Sequence, residues 1–241
     1  MTEAVGMTQR EFATFGTSHL VVLAIFVVGA VGLVWLGRNQ SQQQARGFSR
    51  AAAIVFAVTF VAGTVDKLMQ RATLSELPLQ LSDVSEIVAA YALWSGRHWA
   101  FGLTYFWALV LGSQALITPD LDSGDFPDST FFSFFLLHLF LVWTAIYLAW
   151  GRRMRPTWRD YRCALLATVA WAALAMIFNA LAGTNFGFLN RKPDSGSVLD
   201  YMGPWPTYLA VEALVLLVLW ALMTWPWQRS RALTQVNPER P

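Results

Sequence analysis

Charge is scarce in this chain: Asp, Glu, Lys and Arg together make up 13% of its 241 residues. A water-facing surface needs about twice that share, so a soluble domain of this length is excluded. Cysteine is scarcer still, with Cys163 alone, which excludes a disulfide scaffold. The three histidines, His19, His98 and His138, stand far apart, and none has metal-ligand spacing to Cys or carboxylate. No Gly-rich loop follows a strand-like run. No metal and no cofactor is therefore expected. A net charge of +2 gives nucleic acid little to bind. Lysine is limited to Lys67 and Lys192, an Arg bias that suits a high-GC bacterium.

What remains is apolar. Hydrophobic residues make up 56% of the chain, with 12 Trp and 17 Phe, and the mean hydropathy is +0.44. The expectation is an all-α, polytopic membrane protein in a bacterial cytoplasmic membrane. A spanning helix needs about 20 mostly apolar residues. That window finds seven spans, at roughly 17–36, 51–70, 78–95, 99–118, 130–150, 161–182 and 206–225. The third is the weakest, since Gln80, Ser82, Asp83, Ser85 and Glu86 interrupt it; a six-span alternative drops it. The first is too long for a signal-peptide core, and no A-x-A-like site follows it. Residues 1–228 then form one transmembrane domain and 229–241 a short polar tail. No internal repeat of the transporter kind is visible.

Loop charge favours seven spans. Arg38, Arg46 and Arg50 follow the first span, Arg152, Arg153, Arg155, Arg159 and Arg162 follow the fifth, and Arg229, Arg231 and Arg240 lie in the tail. With seven spans all three groups share a side, and Asp120, Asp122, Asp125 and Asp128 take the other. The positive-inside rule then gives an outside N-terminus and a cytoplasmic C-terminus. Trp94, Trp99, Trp150, Trp205, Trp225 and Trp227 fall near span ends, as an aromatic belt requires.

On that topology the intramembrane polar groups gather in the outer half of the bilayer: Asp66 and Lys67, then Ser82, Asp83 and Glu86, His138, Asn179 with Thr184 and Asn185, and Glu212. Burying such groups in hydrocarbon costs several kcal/mol unless they are paired or wetted. Several at one depth on different helices are most cheaply served by one cavity open to the outer face. The bland alternative is interhelical hydrogen bonding with no further role. Nucleophilic catalysis needs a Ser, a base in reach and a group to orient the base. Ser82 with His138 fits, with Asp83, Glu86 or Asp66 to orient the ring and Asn179 and Asn185 to meet an oxyanion. A membrane Ser is, however, commonly bonded back to its own helix. His19 stands at the outer mouth of span one, as a substrate contact or an interfacial residue. His98 reads as an interface anchor and Cys163 as a small buried hydrophobe.

Specific strings carry a resemblance. Phe15-Gly16 with His19, Leu77-Pro78-Leu79-Gln80-Leu81-Ser82-Asp83, Gln114-Ala115-Leu116-Ile117-Thr118-Pro119-Asp120, His138, Gly183-Thr184-Asn185-Phe186-Gly187-Phe188-Leu189 and Gly203-Pro204-Trp205-Pro206 with Tyr208 occur in this order. The chain resembles the YwaF-like family of integral membrane proteins along nearly its whole length. Bacterial members are mostly uncharacterised. An animal branch is described as acyltransferases acting on ether phospholipids, and resembles membrane hydrolases with a Thr nucleophile and a His. The resemblance implies a nucleophile just after the Leu-Pro-Leu string and a partner His on a later helix, which are Ser82 and His138 here. The family usually has Cys where Ser82 stands, and a hydroxyl is the poorer nucleophile.

The function expected is an acyltransferase or lipid hydrolase working on acyl lipids in the outer half of the membrane, through Ser82 and His138 with Asp83 and Glu86. Asp66, His19, Asn179, Asn185 and Glu212 would contact substrate. A transporter or flippase using the same cavity, or a non-catalytic envelope scaffold, are the alternatives. Membrane lipids are the expected partners; nothing in the sequence names a protein partner or an oligomeric state.

Overall fold

The computed structural model describes residues 11–121, 124–193 and 197–236, with side chains described as far as Arg229. Asp122, Arg240 and the side chain of Arg231 lie outside the described residues. Seven helices form the described chain: α1 Thr17–Asn39, α2 Gln42–Arg71, α3 Leu81–Ser95, α4 His98–Ile117, α5 Ser129–Gly151, α6 Trp158–Ala182 and α7 Thr207–Val236. Short 3-10 turns lie between α2 and α3 and between α6 and α7. All of these helices but α3 are long and apolar enough to cross a membrane. α3 has 15 residues, about 22 Å at 1.5 Å per residue, short of a ~30 Å hydrocarbon core.

Local chemistry sets the ends. Ser41 and Gln44 form a capping box, with Gln44 N–H donating to Ser41 Oγ at 3.3 Å and Ser41 N–H to Gln44 Oε1 at 2.8 Å. α2 therefore starts nine residues before the apolar run expected at 51, and Arg46 and Arg50 ride on the helix instead of in a loop. Thr157 and Asp160 cap α6 in the same way. Asp128 Oδ1 accepts from Thr130 N–H at 2.8 Å and starts α5. Gly96, at φ 63°, ends α3 and lets α4 begin two residues later. α7 continues as helix through Val236, past Arg229, where the sequence suggests a polar tail.

α4 and α5 form the buried middle, and α1, α2, α6 and α7 expose long apolar faces. The core between them is largely aromatic: Phe56, Phe101, Phe106, Trp107, Tyr147 and Trp220 are all buried. Both central helices contain one π turn. In α4 it spans Ala108–Gly112, with Ser113 N–H donating to Ala108 O five residues back; in α5 it spans Tyr147–Gly151. Gly37 and Gly151 bring α1 against the end of α5, where a Cβ on Gly37 would stand 2.7 Å from Gly151 Cα. Trp143 Nε1–H donates to Phe26 O of α1 at 3.0 Å.

The two Arg-bearing connections meet. Arg152 donates to Gly37 O at 3.1 Å and Gln42 Oε1 at 2.8 Å, and Arg38 Nε–H to Trp150 O at 3.3 Å. The Arg50 guanidinium stacks over Trp94, near the last turn of α3, at 5.6 Å. The end of α1, the start of α2, the end of α3 and the end of α5 thus share one end of the bundle, the basic end.

Candidate functional site

A cavity of about 880 Å³ opens at the opposite end, where α3, α5 and α7 begin. Ser82, Asp83 and Glu86 of α3 line it, with Lys67 of α2, His138 of α5 and Glu212 of α7. Deeper in, its wall is apolar and ends on Trp107 and Trp220. This is a pocket of drug-sized volume with a polar mouth and a greasy shaft.

α3 presents its polar residues here because its start is tied down from outside. Leu77 and Gln80 are extended, Leu79 N–H donates to Leu77 O at 2.8 Å in a tight turn across Pro78, and Asp83 Oδ2 accepts from Gln80 N–H at 2.8 Å. Gln80 Oε1 in turn accepts from Gly187 N–H at 2.8 Å, and Trp171 Nε1–H donates to Leu79 O at 3.0 Å. Ser82 is partly buried and makes no hydrogen bond among the described residues, whereas Ser85, one turn on, donates back to Leu81 O at 2.6 Å. The bland reading of a helix Ser thus describes Ser85 and not Ser82.

His138 is buried, and its Nδ1 bonds Phe134 O at 2.8 Å. A carbonyl only accepts, so Nδ1 carries the proton and the Nε2 lone pair is free. The ring is stacked on Phe134 at 4.4 Å between centroids. The orienting group is thus a backbone carbonyl; no carboxylate bonds this ring, and no hydrogen bond joins Ser82 to His138, among the described residues. Glu86 is 2% exposed and its Oε2 has no partner.

The remaining sequence candidates lie outside the cavity lining. Asp66 Oδ2 accepts from Gln70 and Ser129 on the exposed end of α2. His19 is buried, accepts Phe15 N–H at Nδ1 (2.9 Å) and bonds Leu116 O through Nε2 (2.8 Å). Asn179 Oδ1 accepts Thr184 Oγ1–H and Phe186 N–H, both at 2.8 Å, while its Nδ2 donates to Phe186 O at 3.1 Å. Asn185 Oδ1 accepts from Asn190 and Arg191 amides, and its Nδ2 donates to Arg191 O. These groups hold the chain that frames the mouth. Tyr208 Oη–H donates to Phe188 O and Trp205 Nε1–H to Leu189 O, so the strings 183–189 and 203–208 are bonded together over the start of α3.

Sequence reasoning passed over Gln114, Thr168 and Trp220 as cavity-lining residues. Trp107 Nε1–H donates to Thr168 Oγ1 at 2.8 Å, but Trp220 Nε1, fully buried, has no partner. It also passed over Asp160 at the basic end, whose Oδ2 accepts from Thr157 and lies 3.0 Å from His98 Nε2. His98 is therefore half of an interhelical pair between α4 and α6. Cys163 packs partly buried against the main core.

The landmark strings of the sequence thus converge on one place: 77–83, 114–120, His138 and 183–189 supply lining residues, 203–208 buttresses them, and His19 bonds the 114–120 string from behind. No solved structure matches the chain. An uncharacterised protein of Treponema pallidum (strain Nichols) is 27% identical over 215 residues, covering 86% of this chain and 87% of that one. The TMEM164 family model matches residues 14–224, a span that contains every one of the strings; the YwaF-like likeness rests on the strings alone. The chain belongs to the TMEM164 family.

Proposed function

We propose that this membrane protein is an acyltransferase or lipid hydrolase whose nucleophile is Ser82 and whose base is His138. The observation that carries the reading is that Ser82, a helix serine not bonded back to its helix, lines one cavity with a histidine fixed so that Nε2 is free. Ser82 Oγ attacks the carbonyl carbon of an acyl ester while His138 Nε2 takes its proton. The first-turn N–H groups of α3, which have no partner within the helix, meet the oxyanion. The tetrahedral adduct collapses, the ester oxygen leaves with the proton from His138, and the acyl chain stays on Ser82. A lipid hydroxyl or water then reverses the steps. The apolar shaft down to Trp107 and Trp220 takes the chain, while Asp83, Glu86, Lys67 and Glu212 face the headgroup. His19, Asn179 and Asn185 act by holding the frame, and Asp66 stands at its edge.

The same proposal includes seven passes. α3 joins the end of α2 at the cavity mouth to the start of α4 at the basic end, so it traverses the bundle despite its length. With the arginines cytoplasmic, the N-terminus and the mouth lie outside, and the acyl donor is a lipid of the outer leaflet instead of a cytosolic thioester. Purified protein in nanodiscs treated with a fluorophosphonate probe tests the reading. The expected result is an adduct on Ser82, mapped by mass spectrometry, that is lost in Ser82→Ala and in His138→Ala. Absence of an adduct with all three proteins folded overturns the nucleophile.

A further inference from the structure

A second concavity lies far from the cavity mouth, between α6 and α7 at the basic end. It is a groove of about 470 Å³ whose lining, among the described residues, is Trp158, Leu217, Val218, Ala221, Leu222 and Trp225. Tyr161 ties the two helices together beside it, its Oη–H donating to Leu217 O at 3.3 Å. Its walls are lipid-facing: Trp158, Leu222 and Trp225 are all exposed. An exposed apolar groove on a membrane helix pair is filled by hydrocarbon, so the question is which lipid it selects.

The head end answers it. Val218, Leu222, Trp225 and Arg229 follow one another at helical spacing on one ridge of α7. The Arg229 guanidinium lies 4.1 Å over the Trp225 ring, which holds the cation at the groove's end. Across the groove, Arg155 and Arg159 flank Trp158, and Arg162 follows it by one turn on the same face of α6. All four arginines are exposed, and none is in an ion pair among the described residues. By contrast, Arg152 in the same loop is spent on Gly37 O and Gln42. Gln228 Nε2–H₂ donates to Pro156 O at 2.8 Å, which fastens the end of α7 to the α5–α6 loop, with Arg155 and Arg229 each next in sequence to the bonded pair.

We propose that this groove is a site for one anionic phospholipid, its acyl chain along Leu217–Trp225 and its phosphate between Arg229 and the arginines that begin α6. A guanidinium pair gives a phosphate bidentate donors that a zwitterionic lipid would also meet, but only a net negative headgroup is drawn by four unpaired cations. The site is independent of Ser82 and His138 and stands if that pair is inert.

The test uses the full chain in nanodiscs of phosphatidylcholine doped with phosphatidylglycerol whose acyl chains are brominated, which quench tryptophan on contact. Quenching beyond that given by brominated phosphatidylcholine at the same mole fraction is expected. The excess should disappear in the double variant Trp158→Phe/Trp225→Phe. In Arg159→Gln/Arg229→Gln, the preference for the anionic lipid should fall roughly tenfold, about 1.4 kcal/mol. Arg153→Gln, whose residue is exposed in the loop before α6 and does not line the groove, should leave it unchanged. Equal quenching by the two lipids overturns the site, and so does excess quenching that survives the tryptophan double variant or responds to Arg153→Gln as strongly as to the groove arginines.

Discussion

Asn179→Ala isolates what holds the mouth of the cavity. Asn179 is 1% exposed and serves three partners: Thr184 Oγ1–H, Phe186 N–H and Phe186 O. Truncation leaves the backbone donor and acceptor of Phe186, itself buried, without partners and without water to replace them. Each stranded group costs about 1–3 kcal/mol, and the turn is short enough that opening it relieves both. A local loss of about 3 kcal/mol is expected, which at 1.4 kcal/mol per decade is a roughly hundredfold larger equilibrium constant for opening. Hydrogen exchange read by mass spectrometry over 184–190 measures this directly. Thr184→Val removes one bond of the three and should loosen the same peptide by about fivefold, near 1 kcal/mol. Because Gly187 N–H is bonded to Gln80, the peptide covering 77–83 should gain exchange with it. Unchanged exchange at 184–190 in Asn179→Ala would refute the reasoning that this side chain frames the site.

Gly187→Ala should be costly for two separate reasons: its φ is 68°, and a Cβ there runs into the Trp171 ring. A loss of about 2 kcal/mol is expected, seen as a lower unfolding temperature with a changed tryptophan emission; an unaltered protein would mean that the 183–189 turn is not clamped onto α3. Gly102→Ala places a Cβ 2.7 Å from that of Asp160, which Thr157 and His98 hold in place. It should destabilise by about 1–3 kcal/mol, and retention of the wild-type unfolding temperature would show that α4 and α6 part freely. Glu86→Met removes a buried carboxyl oxygen that has no partner. Its thermal stability should hold or rise, and a fall of several degrees would mean that Glu86 has a partner in the folded protein.

The helices were legible because hydrocarbon imposes a length and a composition, and all seven apolar windows contain a helix. Their true ends were less so. Ser41–Gln44 starts α2 through a capping box that a hydropathy window does not see, and the tight turn across Pro78 with the extended Gln80 delays α3 to Leu81. The gathering of Ser82, Asp83, Glu86, His138 and Glu212 around one cavity followed from depth alone, since groups at one level on adjacent helices share a space. Depth says nothing of direction around a helix, which is why His19 and Asn179 stand at the right level and yet point into bonds with Leu116 and the 184–186 turn. The orientation of the His138 ring was not legible either, because the acceptor is a carbonyl of its own helix and every residue has one.

The π turn of α4 has a consequence for length variation in this wall. Each residue in a regular helix advances the direction of the next by about 100° and its position by 1.5 Å. The turn at Ala108–Gly112 holds one residue more than a regular turn would, and the surplus is taken up within that turn. Deleting a single residue such as Val110 would let the helix close regularly, at little cost in backbone bonding, and leave Gln114, Ala115 and Thr118 facing the mouth. Deleting a residue from a regular stretch of the same helix would instead swing everything beyond it about a quarter of the way round the axis. The π turn is thus a slack link, where the length of this wall can change by one residue while the chemistry of the mouth stays as it is.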